Sequence, residues 1–158
     1  MLTIDTQMDL TNHVGEEIGC SDWVTIDQKM IDDFAALTGD RNWYHVDRER
    51  ASRELPGGKP IAHGLLTLSL VPGLAAQIVQ VRHRSLAFNY GSDKVRYPKP
   101  VPAGSRIRLR MKIVSAEPAD KGTLLVRRYT MELEGSTKPA MVADMLSLIV
   151  APTAPAAG

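Results

Sequence analysis

The sequence predicts an α+β fold in which an antiparallel β-sheet is wrapped around one long central helix. Two patterns carry that prediction. Residues 64–81 hold Leu65, Leu66, Leu68, Leu70, Val71, Leu74, Ala75, Ile78 and Val79, which cover most of a helix surface. A helix that is apolar nearly all round belongs inside its domain. After this stretch the period drops to two: Ile107, Leu109, Met111 and Ile113 alternate with Arg106, Arg108, Arg110 and Lys112, as in a strand with one wet face. Helices first and strands afterwards point to a meander packed on the helix rather than to a βαβ layout.

The remaining elements follow in order. Residues 1–20 show little periodicity and read as an N-terminal extension over the surface, and residues 21–26 as a short strand. Met30, Ile31, Phe34, Ala35 and Leu37 recur at spacings of three and four, which predicts a helix. Asp27 is a suitable N-cap for it, Thr25 and Gln28 offer a rival capping box two residues earlier, and Gly39 is a stop signal. Residues 39–45 read as irregular. Asp47 caps a short charged helix through Glu54, which Pro56-Gly57-Gly58 ends. Pro72 kinks the long helix or divides it. A strand region lies between residues 86 and 97. Leu125, Tyr129, Met131 and Leu133 mark another strand, and residues 141–150 a third, more apolar one. Turn-rich separators stand at 118–122 and 135–139. Residues 151–158 contain only Ala, Pro, Thr and Gly and read as a flexible tail. No repeat or linker divides the chain, so a single domain over 1–158 is expected.

Composition narrows the function. Of 158 residues 44% are hydrophobic and 23% charged, an ordinary balance for a globular protein. Nineteen basic against eighteen acidic residues leave a formal charge of +1, which is no general footprint for nucleic acid. One cysteine, Cys20, excludes an intramolecular disulfide and a cysteine-based metal cluster, and favours a reducing, cytoplasmic setting. Residues 1–10 lack the basic and apolar regions of a secretory signal. No stretch approaches the roughly 18 uninterrupted apolar residues of a membrane helix, so no membrane partner is expected. The four histidines have no metal-ligand spacing. Gly57-Gly58-Lys59-Pro60 lacks the spacing of a phosphate-binding loop. Neither a metal nor a bound cofactor is expected.

Chemistry near neutral pH needs a group that gains and loses a proton, and Asp40 and His45 stand five apart. In a regular helix that spacing sets them about 140° apart, and in a strand on opposite faces. Only an irregular turn lets both reach one water molecule, and Gly39 supplies the freedom for it. Taken alone, an aspartate and a histidine in a loop are ordinary surface groups.

The surrounding residues carry more. The stretch Phe34-Ala35-Ala36-Leu37-Thr38-Gly39-Asp40-Arg41-Asn42-Trp43-Tyr44-His45-Val46-Asp47 resembles the hydratase motif of MaoC-like dehydratases, whose core reads G-D-x-N-P-x-H. Pro60-Ile61-Ala62-His63-Gly64-Leu65-Leu66 resembles the segment that opens the central helix of that family. Asn89-Tyr90-Gly91, Val95-Arg96-Tyr97 and Pro100-Val101 to Gly104 resemble its next strand and turn. The matches come in family order and span about residues 20–150. Trp43 stands where the family has proline, a pattern closer to the nodulation-protein-N-like branch.

The resemblance implies a hot-dog fold and (R)-specific hydration of a trans-2-enoyl-CoA, or dehydration of a 3-hydroxyacyl thioester, with the coenzyme A thioester as substrate. Asp40 and His45 would be the water-activating pair. The backbone N–H of Gly64 would hold the thioester oxygen, and Asn42 would orient the pair or the water, its other reading being a turn-stabilising asparagine. His63 is a structural or supporting residue; Trp43, Tyr44 and Leu65 are candidates for shaping the substrate tunnel or are simply core. The arginine stripe is first a solvent face and second a coenzyme A phosphate site. The resemblance also implies a homodimer. Other readings stand beside this one: a dehydratase of carrier-protein-bound acyl groups, a thioesterase on the same fold, and a non-catalytic acyl-CoA-binding or scaffold subunit.

Overall fold

The computed structural model describes residues 1–83 and 86–150, so the expected tail at 151–158 lies outside the described residues. The first strand, β1 (Leu2–Ile4), is followed by a 3-10 helix (Gln7–His13), β2 (Glu17–Cys20) and β3 (Val24–Ile26). Three helices come next: α1 (Gln28–Thr38), α2 (Trp43–Val46) and α3 (Arg48–Glu54). The buried rod is α4 (Gly64–Ser69) plus α5 (Val71–Ile78). Strands β4 (Val79–Val81), β5 (Ala87–Arg96), β6 (Ser105–Ala119), β7 (Gly122–Leu133) and β8 (Met141–Val150) complete the chain.

The main sheet runs β2-β6-β7-β8-β5, with β3 also paired to β6, and every pairing in it is antiparallel. One face of it is the core. Ile107, Leu109, Met111 and Ile113 of β6, Leu125, Tyr129 and Met131 of β7, and Met141, Ala143 and Met145 of β8 are buried together with Leu66, Val71, Leu74 and Ile78 of the rod. Each such large aliphatic side chain contributes about 1.5–3 kcal/mol when fully buried. The antiparallel sheet around a central helix is the hot-dog arrangement the sequence predicts.

The arginine stripe lies on the other face and is taken up by carboxylates. Arg106 pairs with Glu134 at 2.9 Å, Arg108 and Arg110 with Glu132 at 2.5 and 2.8 Å, and Arg110 also with Glu17. Trp23 lies beneath Arg106 and Arg108.

Two expectations need correcting, the end of the rod and the character of the first twenty residues, while the division at Pro72 and the cap at Asp27 are as the sequence predicts. The rod is two helices, because Pro72 offers no N–H and its ring crowds the preceding turn; Leu70 joins the halves in helical conformation, its N–H bonding back to Leu66 and Leu68. The rod also ends at Ile78, since Val79–Val81 pairs in parallel with Leu2–Ile4. The first twenty residues are therefore more than a surface wrap: two strands form there and Leu10 joins the core. The N-cap of α1 is Asp27, whose Oδ1 accepts from Met30 N–H at 2.8 Å, so the rival box at Thr25 does not form.

Candidate active site

The chain enters the site where α1 stops. Gly39 takes a left-handed conformation (φ +80°), which only glycine adopts freely, and its N–H bonds to the Ala35 carbonyl at 3.0 Å. Asp40 emerges exposed on the following bend. Asn42 then starts the single turn of α2, with His45 N–H bonding to the Asn42 carbonyl at 2.9 Å. Asp47 ends that turn and caps α3 through Arg50 N–H. The residues from 39 to 45 are thus a bend followed by one helical turn, and this brings two side chains five apart to one place.

Residues on the far side hold that turn. Gln28, at the start of α1, donates to the His45 carbonyl at 2.8 Å, and Ile61 N–H donates to the Tyr44 carbonyl at 3.0 Å. Ala62 N–H in turn donates to Val101 at 2.8 Å, so the segment before α4 is fixed between α2 and the turn leading into β6.

His45 is buried, at 6% exposure, with its Nδ1 2.7 Å from the Ile61 carbonyl oxygen. A carbonyl only accepts, so Nδ1 carries the proton and Nε2 presents its lone pair. Burial pushes the His45 pKa below the ordinary imidazole value, and the neighbouring His63 lowers it further; the Ile61 bond and the Asp40 charge oppose them without winning. His45 is therefore neutral near pH 7.

Asp40 is held ionised. Desolvation pushes its pKa up, but the Asn42 N–H and side-chain amide, together with the nearby imidazoles, bring it below the usual carboxylate value. The amide bond is the short one, Asn42 Nδ2 to Asp40 Oδ1 at 2.6 Å. Asn42 thus both begins the turn and orients the carboxylate.

A carboxylate oxygen of Asp40, a ring nitrogen of His45 and one of His63 lie within 4.8 Å of one another. Two hydrogen bonds of about 2.8 Å meeting at the tetrahedral angle of one water span about 4.6 Å, so this spacing suits a shared water. It suits a metal ion poorly. The His45 and His63 rings are stacked, centroids 3.7 Å apart and planes 24° apart. Two rings stacked with nearly parallel planes share no in-plane point close to both, whereas two imidazole ligands must converge on an ion about 2 Å away.

His63 is 3% exposed, sits at the N-cap of α4 and donates from Nε2 to the Asp40 carbonyl at 2.9 Å. Its Nδ1 is buried without a partner. It supports both members of the pair, one by stacking and one through the backbone.

Gly64 opens α4. Its amide has no acceptor among the described residues, the first turn bonding from Leu66 N–H onward. The Tyr97 ring lies so close that a Cβ on Gly64 would stand 3.0 Å from it. Gly64, His45, Tyr44, Thr67, Tyr97 and Lys99 line a cleft of about 280 Å³ at this end of the rod. Of the tunnel candidates, Tyr44 lines the cleft and Trp43 and Leu65 do not. Trp43 packs edge-on to Tyr44 beneath Arg50, 4.1 Å from its centroid, while Leu65 is 60% exposed.

The model of the MaoC-like domain matches residues 9–134. The chain belongs to the MaoC-like dehydratase family, and it is a hydro-lyase. It is 47% identical over 152 residues to the 3-hydroxyacyl-thioester dehydratase Z of Mycobacterium tuberculosis, covering 96% of this chain and all of that one. It is 41% identical over 145 residues to nodulation protein N of Rhizobium leguminosarum, covering 89% of each. The (R)-hydratase of A. caviae shares the fold, with a TM-score of 0.68 at 21% identity over 85% of this chain and 98% of that one. In this MaoC-like chain Trp43 occupies the first position of α2, where proline is favoured because the N–H there has no helical partner. The exchange keeps the turn and turns the indole outward.

Residue types alone did not point to Ile61, Gln28 or Tyr97. Ile61 acts through a backbone oxygen, which leaves no trace in the sequence. Tyr97 stands within a recognised block, yet its contact with Gly64 joins residues far apart in the chain.

Proposed function

We propose that this chain adds water to trans-2-enoyl thioesters and removes it from (R)-3-hydroxyacyl thioesters, with Asp40 and His45 as the catalytic pair. The observation that carries this is the pair's arrangement: an ionised carboxylate and a free imidazole nitrogen one water apart, beside an unpaired amide at the mouth of a cleft.

In the hydration direction the water oxygen bonds to C3 of the enoyl group. His45 Nε2 takes a proton from it, because the Asp40 carboxylate, with its pKa lowered, is the weaker base. Asp40 holds the water through its other hydrogen and steadies the imidazolium that forms. The electron pair of the C2–C3 bond moves onto the thioester oxygen, where the Gly64 N–H receives the charge at the helix start. The enolate then collapses and C2 takes a proton back from the pair. Dehydration is the reverse. Asn42 keeps the carboxylate turned inward.

The substrate is an acyl thioester of coenzyme A, and the protein works as a homodimer in the cytoplasm. The edge strand β5 supports the dimer, because it is largely exposed and carries Phe88 and Tyr90 at 52% and 67% exposure. An exposed edge strand presents unpaired backbone groups that a partner strand can take up. The free thiol of Cys20 suits a reducing compartment.

The test is incubation of the purified protein with crotonyl-CoA, following loss of the enoyl-thioester absorbance with free thiol measured in parallel. Absorbance loss without thiol is the expected result. Stoichiometric thiol release means a thioesterase, and binding without turnover means a non-catalytic acyl-CoA protein.

A further inference from the structure

Between Leu125 and Leu133 the inner face of β7 is apolar except at Arg127. Leu125, Tyr129 and Met131 are buried there, and Arg127 stands in the same alternation, paired across the sheet with Ile113 and Met145. Its side chain lines a cavity of about 340 Å³ between α5 and the sheet, walled by Val71, Ala75, Met111 and Met145. This cavity lies along the far half of the rod that begins at Gly64, about 16 Å away at 1.5 Å per residue.

The other arginines of β6 and β7 have carboxylate partners: Arg106 has Glu134, Arg108 and Arg110 have Glu132, and Arg128 has Asp144. Arg127 has none among the described residues. Its Nη2 donates to the Ser147 hydroxyl, its guanidinium lies 5.7 Å from the Tyr129 ring centroid, and its Nε is buried with no acceptor. Arg127 is partly buried, and the cavity lining also includes Gln7, Asn89 and Ser147; a guanidinium here that holds no anion has charge left to receive one from outside. Nε itself is enclosed, so an entering carboxylate is received by the terminal nitrogens beside the Ser147 hydroxyl.

We propose that this cavity binds the carboxylate end of an aliphatic chain, with Arg127 and Ser147 holding the carboxylate and the apolar walls holding the methylenes. Two sources present that chemistry: a free aliphatic carboxylate, and the far end of an ω-carboxyacyl thioester. One arm of the test needs no turnover. Octanoate and octanol are titrated calorimetrically into the wild-type protein and into Arg127→Met. Octanoate is expected to bind the wild type at least about tenfold more tightly than octanol, and Arg127→Met to abolish that preference.

The second arm rests on the thioester reading. It compares kcat/KM for ω-carboxy and methyl-terminated trans-2-enoyl-CoA of equal length. A preference of about tenfold for the ω-carboxy substrate, lost in Arg127→Met, identifies the acyl group as the source. Octanoate binding without that preference identifies the free carboxylate. Arg127→Met exchanges an unpaired cation for an apolar chain and is expected to keep its melting temperature; should it fail to fold, Ser147→Ala replaces it and is expected to narrow the preference. The proposal is overturned if octanoate and octanol bind the wild type alike, if neither binds at millimolar concentration, or if the folded variant keeps the full preference.

Discussion

His45 Nδ1 lies 2.7 Å from the carbonyl oxygen of Ile61, and that bond decides which ring nitrogen is left for chemistry. With the proton fixed on Nδ1, Nε2 carries the lone pair, and a ring nitrogen of His45 lies within 4.8 Å of a carboxylate oxygen of Asp40. Burial keeps the ring neutral by lowering its pKa from 6.5.

The pH dependence follows with a definite sign. Protonation of Nε2 removes the base, so kcat/KM falls as the pH drops through the His45 pKa. That pKa is lowered, so the acid limb is expected below pH 6.5. A profile of kcat/KM against pH for hydration checks this, and a limb at pH 7 or above contradicts the assignment of His45 as the base.

Space at Gly64 is tight, quite apart from the role proposed for its amide. A Cβ there would meet the Tyr97 ring at 3.0 Å, closer than ordinary contact allows. Gly64→Ala is therefore expected to displace Tyr97 and lower kcat/KM by about tenfold or more, while Tyr97→Ala in the same background restores part of the loss. Equal rates for Gly64→Ala and the wild type would show that the Tyr97 contact is loose.

The cap of α1 offers a stability test away from the chemistry. Asp27 accepts from Met30 N–H at 2.8 Å, and Asp27→Ala is expected to cost about 1 kcal/mol in urea unfolding. The helix that Asp27 starts delivers Gly39 and Asp40, so KM is expected to change little as long as the fold persists.

The dimer prediction rests on β5. Light scattering at micromolar concentration is expected to give twice the chain mass, and the double variant Phe88→Lys, Tyr90→Lys to give a monomer, since charge on an edge strand discourages pairing. A monomeric wild type would refute the dimer.

Much of this architecture was legible because period and polarity are local signals. The alternation in β6 and the cap at Asp27 need only neighbouring residues to be recognised, and Pro72 marked where the rod divides. The strands at 2–4 and 79–81 were not legible, because each is three residues long and they pair across about half of the chain. At the site, the motif containing Asp40, Asn42 and His45 could be recognised, yet its bond to Ile61 and its stacking on His63 could not. Both are made by the fold bringing residue 45 against residues 61–63. The reading of the sequence passed over Arg127, although it stands in the alternation of Leu125, Tyr129, Met131 and Leu133, and only the structure shows that its Nε lacks an acceptor.

The most direct measurement is kcat/KM for hydration of crotonyl-CoA by the wild type, Asp40→Asn and His45→Gln, with circular dichroism confirming the fold of each. The account predicts a fall of at least about 100-fold in both variants. Near-normal rates in two folded variants would contradict it.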